Sequence, residues 1–143
     1  MAEQAQDPFN LQRFVEAQAP VYERVRAEMR DGRKRTHWMW FIFPQIQGLG
    51  RSGISRHYAI ASREEAAAYL RHPVLGPRLM ECTRLVNAVQ GRTAHEIFGS
   101  PDDMKFHSCM TLFAAVAGAD SVFQQALDRY FGGNPDRATL ERL

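Results

Sequence analysis

Aromatic and polar side chains are concentrated between residues 36 and 58, and their types are those of a small-molecule binding site. Both tryptophans, Trp38 and Trp40, lie here and are followed by a glycine-containing stretch with Arg51. Aromatic walls with a few convergent polar groups are typical of ligand pockets, and arginine pairs bidentately with phosphate or carboxylate. We therefore predict a pocket for an anionic, nucleotide-like ligand. The predicted ligand-binding residues are His37, Trp38, Trp40, Gln45, Arg51, Ser52, His57, Tyr58 and Lys105.

Hydrolysis is the reaction that these residue types would serve if the ligand is a substrate. Arg51 and Lys105 would hold the anion, while Glu65, Asp103 or a histidine would activate water. The glycines at positions 48, 50 and 53 would allow backbone amides to approach an anion closely, but their spacing matches no phosphate-loop or dinucleotide fingerprint. The sequence leaves open whether the protein is an enzyme and predicts no catalytic residue.

A second group of polar residues, Lys105, Ser108 and Cys109, shares one face of a predicted helix. A lysine or histidine can activate a hydroxyl or a thiol. His107 and Cys109, however, are two positions apart and therefore face away from each other. The five histidines show no paired metal-ligand spacing, and the sequence predicts neither a metal site nor a cofactor.

The positive charge is unevenly distributed along the chain. Residues 24–57 contain eight arginine and lysine residues against two acidic residues, so this segment carries +6 and the remainder carries −4. Such a segment supports an alternative function, a non-enzymatic module that binds an acidic protein or a nucleic acid. Charge runs on helices are also common as solvated faces.

Helix signals are frequent along the chain and strand alternation is nearly absent. Ser62 with Glu65 and Thr93 with Glu96 have the spacing of capping boxes. Asp7 followed by Pro8 predicts a helix start, and Pro20 predicts a break. These patterns predict an all-α fold, a single compact multi-helical domain over residues 1–143 with six to seven helices.

Two segments depart from simple helical periodicity. Residues 44–60 contain three glycines and are predicted to form one long loop, and long loops in compact domains are often functional. The run 38–43 is apolar on all sides, which is also typical of a buried central helix whose tryptophans supply bulk. That interpretation competes with a ligand site.

Cysteine usage and the N-terminus indicate the expected compartment. Cys82 and Cys109 are the two cysteines and are far apart, so no disulfide framework is predicted. Residues 1–7 lack the basic and then apolar order of a secretory signal. The apolar run 38–43 is far shorter than the roughly 20 residues that cross a bilayer. We therefore expect a cytoplasmic protein with no membrane association.

Long blocks of sequence also resemble a known family. They are DPFNLQRF at 7–14 and RKRTHWMWFIFPQ at 33–45, followed by shorter blocks at 48–50, 58–60, 72–76, 97–99 and 105–113. Together they are similar to a bacterial family of unknown function whose members are often labelled calpastatin-like. The resemblance implies a compact multi-helical fold and no established activity. It does not imply calpain inhibition, because calpastatins act through extended, largely disordered repeats.

Overall fold

The structure, a computed structural model, describes residues 7–143 and contains ten helices there. The predicted all-α class is confirmed. The predicted six to seven helices were too few, because four of the ten have only four or five residues, too short to show a hydrophobic period. The helices are α1 (Gln12–Gln18), α2 (Tyr22–Asp31), α3 (Met39–Ile42), α4 (Gly53–His57), α5 (Arg63–Arg71), α6 (Leu75–Ala88), α7 (Ala94–Phe98), α8 (Asp102–Ala117), α9 (Val122–Phe131) and α10 (Arg137–Leu140).

Helix α8 lies at the centre of the fold. It contacts α5, α7, α9 and α10, while α6 contacts α2, α5 and α9. Phe106, Met110 and Phe113 are fully buried, as expected for the inner stripe of a core helix. Ala117, the last residue of the helix, is exposed. Among the described residues, no helix has the length and apolar character needed to cross a membrane.

Local capping signals explain most of the helix boundaries. Thr93 and Glu96 form the complete capping box at α7. Ser62 caps α5 by accepting from the Glu65 N–H at 3.1 Å, but Glu65 Oε1 accepts from the Ala61 N–H at 2.7 Å rather than from the cap residue. In the predicted box, Glu65 would accept from the Ser62 N–H. In the structure it accepts from the N–H of the preceding residue, Ala61, instead.

The first helix begins later than predicted, although its capping residue is correct. Asp7 accepts from the N–H groups of Leu11 and Gln12 at 2.8 and 2.9 Å, and α1 starts only at Gln12. The break predicted at Pro20 is confirmed, since α1 ends at Gln18 and α2 begins at Tyr22. The predicted absence of a secretory signal concerns residues 1–7, of which residues 1–6 lie outside the described part of the chain.

The apolar run around the tryptophans forms only the four-residue helix α3 rather than a long central helix. Trp38 precedes it and is fully buried, and its indole Nε1–H donates to Glu28 Oε1 at 2.9 Å. Two tryptophans only two positions apart therefore lie in different environments, because Trp40 is half-buried. The burial of each tryptophan therefore depends on the contacts it makes, since the residue type is the same.

The predicted loop 44–60 contains the short helix α4, which Ser52 caps by accepting from the Ser55 N–H. A parallel β-bridge joins Ile46 to Ile60 at the two ends of the segment. The Gln47 N–H donates to the Ile60 carbonyl and the Ile60 N–H donates to the Gln45 carbonyl, both at 2.8 Å. The segment is therefore a closed, hydrogen-bonded lobe and not an open loop.

Candidate functional site

A cleft of about 940 Å³ opens between the N-terminal turn (residues 8–13), the lobe together with Ala61 (the 44–61 lobe), the start of α5 and the C-terminal turn (residues 136–143). Its volume is within the range of small-molecule sites. The polar and aromatic side chains of its lining are mostly arginines, glutamines and aromatic rings, with one serine and one glutamate. They are Phe9, Arg13, Trp40, Gln45, Gln47, Arg51, Ser55, Arg56, Tyr58, Glu65 and Arg142.

Arg13 holds one side of this cleft together. Its guanidinium donates to backbone carbonyls from two separate stretches of chain and to a carboxylate, and these bonds use the full set of five N–H donors. The acceptors are the carbonyls of Phe9 (2.6 Å), Asn10 (2.7 Å), His57 (2.8 Å) and Ala59 (3.0 Å) and Glu65 Oε2 (3.0 Å). Arg13 therefore fixes the walls of the cleft and has no donor left for a ligand.

Glu65 lines the cleft, but both carboxylate oxygens are already engaged. Oε1 accepts from the Ala61 N–H, and Oε2 pairs with Arg13. The side chain is 3% exposed, so its geometry is that of a structural ion pair rather than that of a general base. Asp103, the other predicted acid, lies on α8, where its Oδ2 is 3.3 Å from His95 Nδ1, and it is not part of the cleft lining.

Three further arginines give the cleft its positive charge. The side chains of Arg51 and Arg56 make no ion pair or hydrogen bond with any residue in the described range 7–143. Arg142 donates to the carbonyls of Ala138 and Gly48 at 3.2 and 3.3 Å and retains three N–H donors. Among the described residues that line the cleft, Glu65 is the one acid, so the net field favours an anion.

Trp40, Gln45, Arg51 and Tyr58 are the predicted site residues that the structure brings together in the cleft lining. Lys105 does not line the cleft but contacts one of these residues, since its ammonium lies 4.9 Å from the centre of the Trp40 ring. The lysine also lies 3.6 Å from Asp102. These five positions come from three separate parts of the chain.

The other four predicted residues do not line the cleft. Trp38 is a core residue bonded to Glu28, and His37 is an exposed residue in the turn before it. Ser52 is the α4 cap, and its hydroxyl also donates to that of Ser55. The His57 ring packs on Tyr58 at 4.6 Å. Ser52 and His57 therefore support the lobe beside the cleft, whereas Trp38 belongs to the core.

The polar face suggested on α8 is not a nucleophilic site. Ser108 donates to the Met104 carbonyl and contacts Asp136 Oδ2 at 3.2 Å, while Lys105 faces Asp102 and Trp40. Cys109 is completely buried, and burial raises the pKa of its thiol well above its usual value. His107 is hydrogen-bonded through Nε2 to the Asn134 carbonyl. These contacts anchor the C-terminal residues to α8.

Burial likewise raises the pKa of the Cys82 thiol to about 12. Both cysteines are free and protonated at neutral pH. Within residues 7–143, His, Cys, Asp and Glu side chains form no cluster of three that would bind a metal ion.

Comparison with known proteins identifies the family. Residues 8–143 match a family described as a protein of unknown function, DUF1810. The chain belongs to the DUF1810 family. Neither this description nor the structural comparison below refers to calpastatin.

A crystal structure of the conserved hypothetical protein Rv1873 from Mycobacterium tuberculosis is similar to this DUF1810 chain. The two share 59% sequence identity with a TM-score of 0.94, and the similarity covers 96% of this chain and 98% of that chain. No curated protein matches the chain. The DUF1810 match contains every residue of the cleft lining, from Pro8 to Arg142.

Sequence reasoning missed three important members of this DUF1810 cleft, namely Phe9, Arg13 and Arg142. Phe9 and Arg13 fall within the 7–14 block that carried the family resemblance, which was the available signal for them. Arg142 contacts Gly48 across 94 positions of sequence, so no local pattern connects the two. Arg56 was likewise not among the predicted site residues, although it lies only five positions after Arg51.

Proposed function

We propose that this protein binds an anionic, nucleotide-like small ligand in the cleft between the 44–61 lobe and the C-terminal turn. One observation carries the proposal: three arginines with unengaged N–H donors, Arg51, Arg56 and Arg142, share one cleft with half-buried aromatic rings. A guanidinium presents donors in a planar fork that matches phosphate and carboxylate oxygens. Arginines placed in a concave, aromatic-lined site are suited to hold an anion with a flat ring attached.

The aromatic and amide groups would bind the uncharged part of the ligand. Trp40 and Tyr58 are half-buried, so each ring keeps a surface on which a planar base can stack. Lys105 restrains Trp40 through its ammonium above the ring. The side-chain amide of Gln45 makes no hydrogen bond with a described residue. It offers both a donor and an acceptor to the edge of a ligand ring.

Binding, rather than hydrolysis, is the function that we propose. A hydrolase of this design would need a carboxylate or imidazole within hydrogen-bond reach of the attacking water. The Glu65 carboxylate is held by Arg13 and the Ala61 N–H, and Asp103 and His57 are not part of the lining.

A thermal-shift screen of nucleotides, sugar phosphates and dicarboxylates tests this proposal, followed by calorimetry on each compound that stabilises the protein. A ligand present at 100 times its dissociation constant should stabilise the fold by about 2.7 kcal/mol. Arg51→Ala should weaken that ligand about tenfold or more, since it removes a charge-assisted pair worth ~1.5–3 kcal/mol.

Arg24→Ala is the matched control, because Arg24 is exposed on α2 outside the cleft and makes no ion pair with a described residue. It should bind as the wild type does. A screen without a single stabilising anion would contradict the proposal. Equal loss of affinity in the Arg51 and Arg24 variants would contradict it as well.

A further inference from the structure

We infer that the ligand of this cleft carries a diphosphate, and that Arg142 is the residue that selects a diphosphate over a single phosphate. This inference rests on the proposed function and adds the substrate class. The C-terminal turn presents Arg142 to the cleft.

The C-terminal turn is anchored to the central helix rather than hanging from the fold. Asp136 caps α10 by accepting from the Thr139 N–H at 3.1 Å and from its hydroxyl at 2.6 Å. The Asp136 N–H donates to the hydroxyl of Thr111 on α8 at 2.8 Å. Thr139 is fully buried as a result. Arg142 therefore extends from a fixed support.

Gly48 supplies the space that the Arg142 side chain occupies. Its φ is +95°, and a Cβ built at this position would lie 2.6 Å from Arg142 Nε. Its carbonyl accepts from Arg142 Nη2, and the Ala138 carbonyl accepts from Nη1. Two backbone carbonyls thus orient the guanidinium while three of its N–H donors remain open to the cleft region. Arg13, in contrast, has no open donor.

The three available arginines come from two different walls of the cleft. Arg51 and Arg56 belong to the 44–61 lobe, five positions apart, whereas Arg142 belongs to the C-terminal turn. A phosphate monoester carries at most about two negative charges at neutral pH. Two guanidiniums balance that charge, and a third on a separate wall leaves a positive group for a second phosphate. With the Glu65 carboxylate neutralised by Arg13, this count points to a terminal diphosphate, which carries more negative charge than a phosphate monoester.

Inorganic phosphate and pyrophosphate are the probes for this inference, titrated into the intact protein and followed by amide chemical shifts. Wild type should bind pyrophosphate at least about tenfold more tightly than phosphate, with shifts in the lobe and the C-terminal turn. Arg142→Gln should lose most of that preference while its affinity for phosphate stays within about twofold. Arg51→Gln should weaken both anions.

Two further variants separate selection from general effects. Arg137→Gln changes an exposed arginine on α10 without a partner among the described residues and should preserve the preference. Gly48→Ala should reproduce the Arg142→Gln result, because its Cβ would displace the guanidinium. Thermal unfolding of each variant verifies that it is folded.

The outcomes distinguish this inference from the proposed function. If wild type binds neither anion, the inference is overturned, and the thermal-shift screen of nucleotides, sugar phosphates and dicarboxylates decides separately whether the proposed function stands. If wild type binds both anions equally, or if Arg142→Gln keeps the pyrophosphate preference, the inference is overturned and the proposed anion site stands. An equal loss of both anions in Arg142→Gln would also overturn it, because Arg142 would then be a general contact and not a selector.

Discussion

The Glu28 carboxylate is the centre of the hydrogen-bond network that fixes the chain before the cleft. It accepts from the N–H groups of Arg35 and Thr36, from the Thr36 hydroxyl and from the indole of Trp38. Burial works to raise the pKa of Glu28, but these hydrogen bonds to the charged form outweigh it, and the net pKa lies below its usual value. The ionised form therefore stabilises the fold.

Replacing Glu28 should lower stability and remove part of the acid sensitivity of the protein. Glu28→Ala leaves several buried donors without an acceptor and should cost about 3 kcal/mol. Because the folded-state pKa is below the unfolded value of about 4.3, the contribution is complete above that pH and is lost as pH falls through the folded-state pKa. Urea unfolding between pH 3 and 7 measures both effects.

Glu28→Gln is the informative comparison, because it keeps the shape of the side chain and removes the titration. Its unfolding free energy should change less than that of wild type across the acid range. Parallel pH curves for the two proteins would show that Glu28 is not the group responsible.

At the scale of elements, the junction of α5 and α6 depends on a glycine. A Cβ at Gly76 would lie 2.1 Å from the Leu70 carbonyl oxygen, which is backbone and cannot rotate away. The His72 ring accepts from the N–H groups of Val74 and Leu75 and fixes the same turn. The close approach of these two helices therefore excludes any side chain at position 76.

Gly76→Ala should destabilise the protein by ~2 kcal/mol or more, because the helices must separate to relieve the clash. Gly53 offers the matched substitution, since it also lies near a helix start but a Cβ there meets no atom within 4 Å. Gly53→Ala should be neutral or stabilising by up to ~1 kcal/mol. Thermal and urea unfolding would contradict this account if the two variants behaved alike.

At the scale of the whole molecule, the positive segment 24–57 does not form one charged face. Within it, Arg26 pairs with Glu23 and Glu81, Lys34 pairs with Asp102, and Arg35 pairs with Asp31. Arg51 and Arg56 belong to the cleft instead. The folded chain has thus divided the +6 segment among ion pairs, a concave site and solvent.

This division predicts weak nucleic-acid binding, the alternative to a small-ligand site. We expect no retarded band for duplex or single-stranded oligonucleotides in a gel shift at physiological salt, because contiguous phosphate contacts need a contiguous row of cations. Tight binding with a steep salt dependence that disappears in Arg30→Ala and Arg33→Ala variants would instead support the interaction module. Arg84→Ala, an exposed arginine on α6, is the control.

The sequence by itself determined the helical class and most helix ends. Caps such as Thr93 and breaks such as Pro20 act through contacts within about four residues, so their signals are local and readable. The same locality explains the limits, because a four-residue helix such as α3 contains too few positions to display a period. The sequence also placed Trp40, Gln45, Arg51 and Tyr58 in one candidate site, since three of the four lie within twelve positions.

Only the tertiary structure decided which polar groups are available and which are engaged. It bound Trp38 to Glu28 and left Trp40 beside the cleft, and it used all the donors of Arg13 while keeping those of Arg51 open. It also brought Arg142 to Gly48 across 94 positions. Such contacts depend on how distant helices pack, and packing joins residues whose spacing along the chain carries no period.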